Sequence, residues 1–202
     1  MTAKGWFRLG DNDGPRTLQE QMLGLGAALA EAAGKTVLDL GCAEGLIAIE
    51  FAKAGATAVH GIESNQQLWI AAKREAASMA ILPVTFEHSD IVEVAKRPER
   101  PQYDIVLALA VLHKLGDPAA GIRFCAESAR RLIVVRLPIG STGIIGYKHD
   151  KRRSSDIREI LPPLGFTLER AEPGPRGEWV QYWRRAGGSR TSAAARSIFR
   201  SA

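Results

Sequence analysis

Cysteine is scarce: the 202 residues include only Cys42 and Cys125. Two are too few for a cysteine metal cluster or a disulfide framework, so both are expected as reduced thiols. No grouping of His, Cys, Asp and Glu has recognisable metal-ligand spacing. Aromatic residues make up 6% of the chain, and no stacking platform such as an RRM signature interleaves the charges of the basic loop and the arginine tail. Long apolar runs are also missing. The run from Met22 to Ala33 is shorter than the roughly 18 to 20 residues that a membrane-spanning helix needs, and it contains Glu31, so a transmembrane helix is excluded. The opening Met1-Thr2-Ala3-Lys4-Gly5-Trp6 lacks an apolar signal core with a small-residue cleavage site, which makes the cytoplasm the expected compartment.

What is present is ordinary globular composition, 46% hydrophobic and 24% charged with 20 Gly and 10 Pro, at a length that suits one domain. The net charge of +5 is local. Five arginines and no acid lie between Trp183 and Ala202, and the rest of the chain balances 22 cations against 22 acids. The expected organisation is an N-terminal flap and helix over 1–34, a core domain over 35–185 and a flexible basic tail over 186–202. Such a tail solubilises the chain or, alternatively, holds a phosphate-bearing partner.

Short apolar runs alternate with amphipathic stretches at the spacing of βα units, which implies a doubly wound, mostly parallel sheet. Strands are expected at Thr36–Leu40, Ala58–Ile62, Val84–Glu87, Asp104–Leu109 and Leu132–Leu137. Helices fill the gaps at Leu46–Ala54, Asn65–Met79 and Pro118–Arg130, the last opened by an Asp117 cap. A short helix from Ser155 to Leu161 precedes a closing antiparallel hairpin, Gly165–Glu169 with Trp179–Trp183. Before the first strand, Thr17 and Glu20 form a capping box for one helix from Leu18 to Ala33.

The run Val37-Leu38-Asp39-Leu40-Gly41-Cys42-Ala43-Glu44-Gly45 leads straight from strand to helix. Gly41 and Gly45 permit a tight turn and close approach of the main chain to a ligand at the carboxyl end of the sheet. Both the dinucleotide G-x-G-x-x-G fingerprint and the phosphate-loop signature are absent, which disfavours a pyrophosphate. Glu63 ends the second strand about twenty positions after Gly41, where a carboxylate can accept both hydroxyls of a ribose. A nucleoside-like ligand is indicated.

These residues resemble the class I S-adenosylmethionine-dependent methyltransferases over roughly Lys35 to Leu137, and the C-terminal hairpin is similar to their antiparallel seventh strand. The resemblance implies a Rossmann-like seven-stranded fold with S-adenosylmethionine as cofactor. Asp39-x-Gly41-x-x-x-Gly45 is similar to the family's first motif, with Cys42 and Ala43 in the turn, and Gly61-Ile62-Glu63 to its second-strand acid. Phe86 to Ile91 resembles the segment in which Asp90 would hold the adenine amino group beside Ile91. Tyr103 to Lys114 resembles the fourth strand and its Val-Leu-His exit. Ser64 and Leu109 join the implied cofactor contacts. Asp39 would organise the glycine loop or reach the cofactor amino group through water. Glu44 would orient the helix start or attract the sulfonium.

Methyl transfer from a sulfonium needs alignment and exclusion of water rather than a covalent intermediate. His113 is the candidate general base for a hydroxyl acceptor, the alternative being that it only finishes the strand and packs against the following turn. Lys114 is read as solvated, and Cys42 as a small residue that the turn admits rather than as a nucleophile. Arg16, in the flap Trp6–Arg16, is a candidate partner of the cofactor carboxylate.

No Asn/Asp-Pro-Pro-Tyr/Phe run follows the fourth strand, which argues against DNA-base amino groups or a glutamine side chain as acceptor. Acceptor choice falls to the flap and to Pro138–Ser154, which holds Tyr147, Lys148, His149, Lys151, Arg152 and Arg153 against Asp150. A small-molecule acceptor, methylated on oxygen or nitrogen, ranks ahead of RNA. A catalytically silent binding module and a nicotinamide oxidoreductase are the rival classes.

Overall fold

The computed structural model describes residues 8–9, 12–13, 15–79, 83–99, 101–138, 141, 143–145 and 155–187. The residues of the flap before Pro15 other than those two pairs, Tyr147 and the basic loop, and the tail from 188 onward lie outside this set. In chain order the elements are β1 (Arg8–Leu9), β2 (Asn12–Asp13), α1 (Leu18–Met22), α2 (Gly26–Ala30), β3 (Thr36–Leu40), α3 (Leu46–Lys53), β4 (Ala58–Glu63) and α4 (Gln66–Ser78). They continue as β5 (Val84–His88), α5 (Ile91–Val94), β6 (Tyr103–Leu109), α6 (Pro118–Ser128), β7 (Ala129–Leu137), β8 (Ile144–Ile145), β9 (Ser155–Asp156), α7 (Ile157–Ile160), β10 (Phe166–Pro173) and β11 (Trp179–Arg185).

Seven strands form one sheet in the order β10-β11-β7-β6-β3-β4-β5. The pairs β3–β4, β3–β6, β4–β5 and β6–β7 are parallel, and β11 runs antiparallel to both β7 and β10. This is the doubly wound sheet with a closing antiparallel hairpin that the alternation predicts. Its central strands β3, β6 and β7 are buried on both faces, so residues of successive parity pack into two cores. Leu38, Leu40, Val106, Ile133 and Val135 face Ile122 and Phe124 of α6. Val37, Ile105, Leu107, Leu132 and Val134 face Ile49 and Phe51 of α3 and Leu25 beside α2. Each such side chain, fully buried, contributes about 1.5–3 kcal/mol. Among the described residues no helix is long and apolar enough to cross a membrane.

The single helix expected from Leu18 to Ala33 is two. The capping box forms as read: Thr17 Oγ1 accepts from Glu20 N–H at 3.1 Å, and the Glu20 carboxylate accepts from Thr17 N–H at 2.8 Å. Yet α1 stops at Met22, because Gly24 turns the chain at φ +78°. A Cβ there would lie 2.8 Å from the Pro173 carbonyl oxygen and 2.9 Å from Val180 Cγ2. The Tyr182 hydroxyl donates to the Gly24 carbonyl at 2.5 Å, which holds the break against β11.

The helix expected to reach Arg130 ends at Ser128, and β7 begins on the next residue. Here Arg185 donates to the carbonyls of Ala126 at 2.7 Å and Ala129 at 2.8 Å, satisfying orphan acceptors at the end of α6. Arg184 bridges Glu31 at 2.7 Å and Glu169 at 2.5 Å. Two of the five arginines that give the chain its excess charge are therefore structural groups of β11.

Candidate functional site

Parallel strands on either side of β3 depart in opposite directions along the sheet, and a crevice opens outside their carboxyl ends where they part. A cavity of about 220 Å³ lies there. Its wall takes Asp39 from the end of β3, Gly41, Cys42 and Ala43 from the following turn, Glu63 and Ser64 after β4, Asp90 and Ile91 after β5, and Leu109 at the end of β6. All nine are residues that the sequence proposes as cofactor contacts.

Gly45, Arg16 and His113 are not among the lining residues. The need for glycine at 45 comes from packing, since a Cβ there would sit 2.5 Å from the Phe86 ring and 2.9 Å from Ala72 Cβ. Arg16 is paired instead with Glu178, Nη2 to Oε1 at 3.0 Å and Nη1 to Oε2 at 3.4 Å. His113 sits half-buried on the turn Leu112–Lys114; burial, and then the charge of Lys114, hold its imidazole below the usual range. Lys114 is exposed, as read from the sequence, and also borders the cavity, where partial burial lowers its ammonium pKa against the pull of Glu63.

The turn after β3 does not offer its amides to a ligand as the glycine spacing suggests. Gly41 N–H and Cys42 N–H donate to the Ile62 carbonyl at 2.8 and 3.1 Å, and Gly45 N–H donates to the Cys42 carbonyl at 2.8 Å. Ala43, held at φ +49°, donates to Glu63 Oε2 at 2.9 Å. The other Glu63 oxygen accepts from Asn65 N–H at 2.8 Å, and Asp90 accepts from Val92 N–H at 2.7 Å as the cap of α5. With these amides engaged, the cavity presents chiefly acceptors. Such a wall repels phosphates and suits hydroxyls, amines and cations.

Asp39 is the most exacting of these acceptors. It is 2% exposed, and its buried Oδ2 has no hydrogen-bond partner among the described residues. Burial first, then the Glu63 carboxylate, raise its pKa to about 7, and Arg136 opposes them. Burial, reinforced by the Asp39 and Glu63 charges, pushes the Cys42 thiol well above its ordinary range, so it is protonated at neutral pH and no nucleophile.

Sequence reading misses a buried chain of groups behind this wall. Gln21 of α1 lines the cavity, and Arg136 of β7 donates to its Oε1 at 2.6 Å and also to its main-chain carbonyl. Arg136 Nε in turn faces Glu178 at 3.7 Å. A lone arginine inside the apolar run Leu132–Leu137 was the available signal, because a charge in a doubly buried strand requires partners.

The residues present fit S-adenosylmethionine. An unmet buried acceptor at Asp39 suits its ammonium, Glu63 retains lone pairs for ribose hydroxyls, and Asp90 with Ile91 and Leu109 supplies a polar and apolar edge for an adenine.

The family model for a methyltransferase domain matches residues 37–132. An enzyme named ubiquinone biosynthesis O-methyltransferase from Neisseria meningitidis serogroup A is 33% identical over 98 residues, which cover 48% of this chain and 41% of that one. Its namesake from Marinobacter nauticus is 38% identical over 96 residues, 47% of this chain and 40% of that one. The chain thus spans about two fifths of the length of these relatives. Magnesium protoporphyrin IX methyltransferase from Synechocystis, solved with S-adenosylmethionine bound, superposes with a TM-score of 0.62 at 25% identity, covering 79% of this chain and 74% of that one. Strand order, crevice and matched segment agree: residues 37–132 match a methyltransferase domain, and the chain has the Rossmann-like fold of the solved S-adenosylmethionine-dependent enzyme.

Proposed function

We propose that the chain is an enzyme that moves a methyl group from S-adenosylmethionine to an oxygen of a small-molecule acceptor. The observation that carries this is the acceptor-lined cavity at the carboxyl ends of β3, β4 and β5, whose loop amides are engaged elsewhere. The oxygen acceptor follows the name shared by the relatives, O-methyltransferase.

When bound, the cofactor supplies a methyl group on a sulfonium, with a neutral thioether as the leaving group. Asp39 orients its ammonium end, Glu63 holds the ribose, and Asp90 with Ile91 fixes the adenine. Leu109, Val111 and Leu115 line the same cavity and exclude water from the reacting end. His113, held neutral, takes the proton of the acceptor hydroxyl as the carbon–oxygen bond forms. Burial and the charge of Lys114 beside it keep that imidazole neutral and able to take the proton.

The test is titration of the full chain with S-adenosylhomocysteine, followed by incubation with isotopically labelled cofactor and mixed hydroxyl-bearing metabolites or RNA. Micromolar binding and label on oxygen of a small molecule support the proposal. Label in RNA overturns the acceptor, and binding without turnover on any acceptor favours the silent module.

A further inference from the structure

We propose that Gln21 recognises the carboxylate of the cofactor's amino-acid end, and so makes the chain select a cofactor that carries one. This rests on the cofactor reading above and adds to it a residue outside the segment matched by the family model.

A guanidinium has donors only, so the contact from Arg136 Nη1 to Gln21 at 2.6 Å requires the amide carbonyl at that place. The orientation of the side chain is thereby fixed, and its NH2 group points elsewhere. Gln21 is 1% exposed, its Nε2 has no hydrogen-bond partner among the described residues, and the residue lines the cavity. A buried donor left unmet is costly, and here the ligand is the group that meets it.

The cavity wall therefore joins an unmet buried donor, Gln21 Nε2, to an unmet buried acceptor, Asp39 Oδ2. That pair is complementary to an amino-acid zwitterion. Charge sets the direction. Behind Gln21 stand Arg136, Glu178 and Arg16, two cations and one anion in contact, so the Gln21 side is net positive and the Asp39 side negative. A carboxylate is favoured at the first and an ammonium at the second. Arg16 thus acts on the carboxylate at a distance, as a positioning residue that fixes Glu178, rather than by the direct contact expected from the sequence. The capping box at Thr17 and the contact of Arg176 with the Pro15 carbonyl set α1 in place for this.

The experiment compares wild type with Gln21→Glu by calorimetry, using S-adenosylhomocysteine and its decarboxylated analogue, which keeps the amine but lacks the carboxylate. Glutamate preserves the carbonyl-type contact to Arg136 and replaces the donor by an anionic oxygen. The expected result is a loss of about tenfold or more in affinity for S-adenosylhomocysteine, with affinity for the analogue unchanged or improved. Equal losses for both ligands, or no loss for either, overturn the assignment to Gln21. A thermal melt with a midpoint near wild type verifies that the variant folds, and a Gln21→Met protein with the same ligand split replaces it if it does not. Failure of wild type to bind either ligand sinks the cofactor reading itself, an outcome distinct from the other two.

Discussion

Replacing Asp39 with Asn is expected to make the ligand-free protein more stable and the binding site worse. Burial and the neighbouring Glu63 raise the Asp39 pKa from 3.8 to about 7. At 1.36 kcal/mol per pH unit, that rise makes the ionised native form less stable by about 4 kcal/mol than a neutral side chain in the same place. The sign follows from proton uptake. With its pKa raised in the folded state, the carboxyl group contributes stability that is fully present below pH 3.8 and is lost as pH rises through about 7. Asparagine has the same shape and no charge, so it escapes the loss. The stability gap between variant and wild type therefore widens by about 2–3 kcal/mol between pH 5 and pH 7 and levels off above, a change of roughly 4–12 °C in melting temperature for a domain of this size. Scanning calorimetry of both proteins at several pH values measures it. Affinity of the variant for S-adenosylhomocysteine falls about tenfold or more, because a charge-assisted contact to the ammonium is gone. A gap that stays flat with pH, or an Asp39→Asn protein that binds as tightly as wild type, refutes the reasoning.

Three further outcomes are expected. His113→Gln lowers kcat by about 10²–10⁴ while leaving S-adenosylhomocysteine affinity unchanged; because the His113 pKa is depressed, the acid limb of the wild-type rate profile lies below the usual histidine range, and a limb unaltered by the substitution removes the residue from proton transfer. Glu63→Gln weakens S-adenosylhomocysteine binding by about tenfold and loosens the turn after β3, since Ala43 and Asn65 both donate to the carboxylate; faster amide exchange at Ala43 in the ligand-free variant is the readout. Gly24→Ala costs about 1–3 kcal/mol, from its positive φ and its contacts with Pro173 and Val180, and urea denaturation measures the loss.

The sheet was legible because strands buried on both faces read as unbroken apolar runs, and Thr36–Leu40 ends where the sequence places it. The turn after it was legible from Gly41 and from the acid at Glu63. What escaped depends on distant partners. Nothing within Leu18 to Ala33 reveals that Tyr182, 158 positions from Gly24, grips the chain there and splits the helix. Loop amides look open to a ligand in a sequence, and only tertiary structure reveals that Ile62 and Glu63 accept from them. Arg136 lay in plain view, but its partners Gln21 and Glu178 come from elements more than forty residues away on either side.

The clasp between the first helices and β11 has a bearing on biogenesis. Arg16 meets Glu178 and Tyr182 meets Gly24, so α1 is held by a hairpin that the ribosome makes 158 residues or more after it. Pairing over such distances in sequence closes slowly. A nascent polypeptide still short of Trp179 lacks the strand that clasps the first helices, so tight retention of nucleoside would wait for that hairpin to emerge.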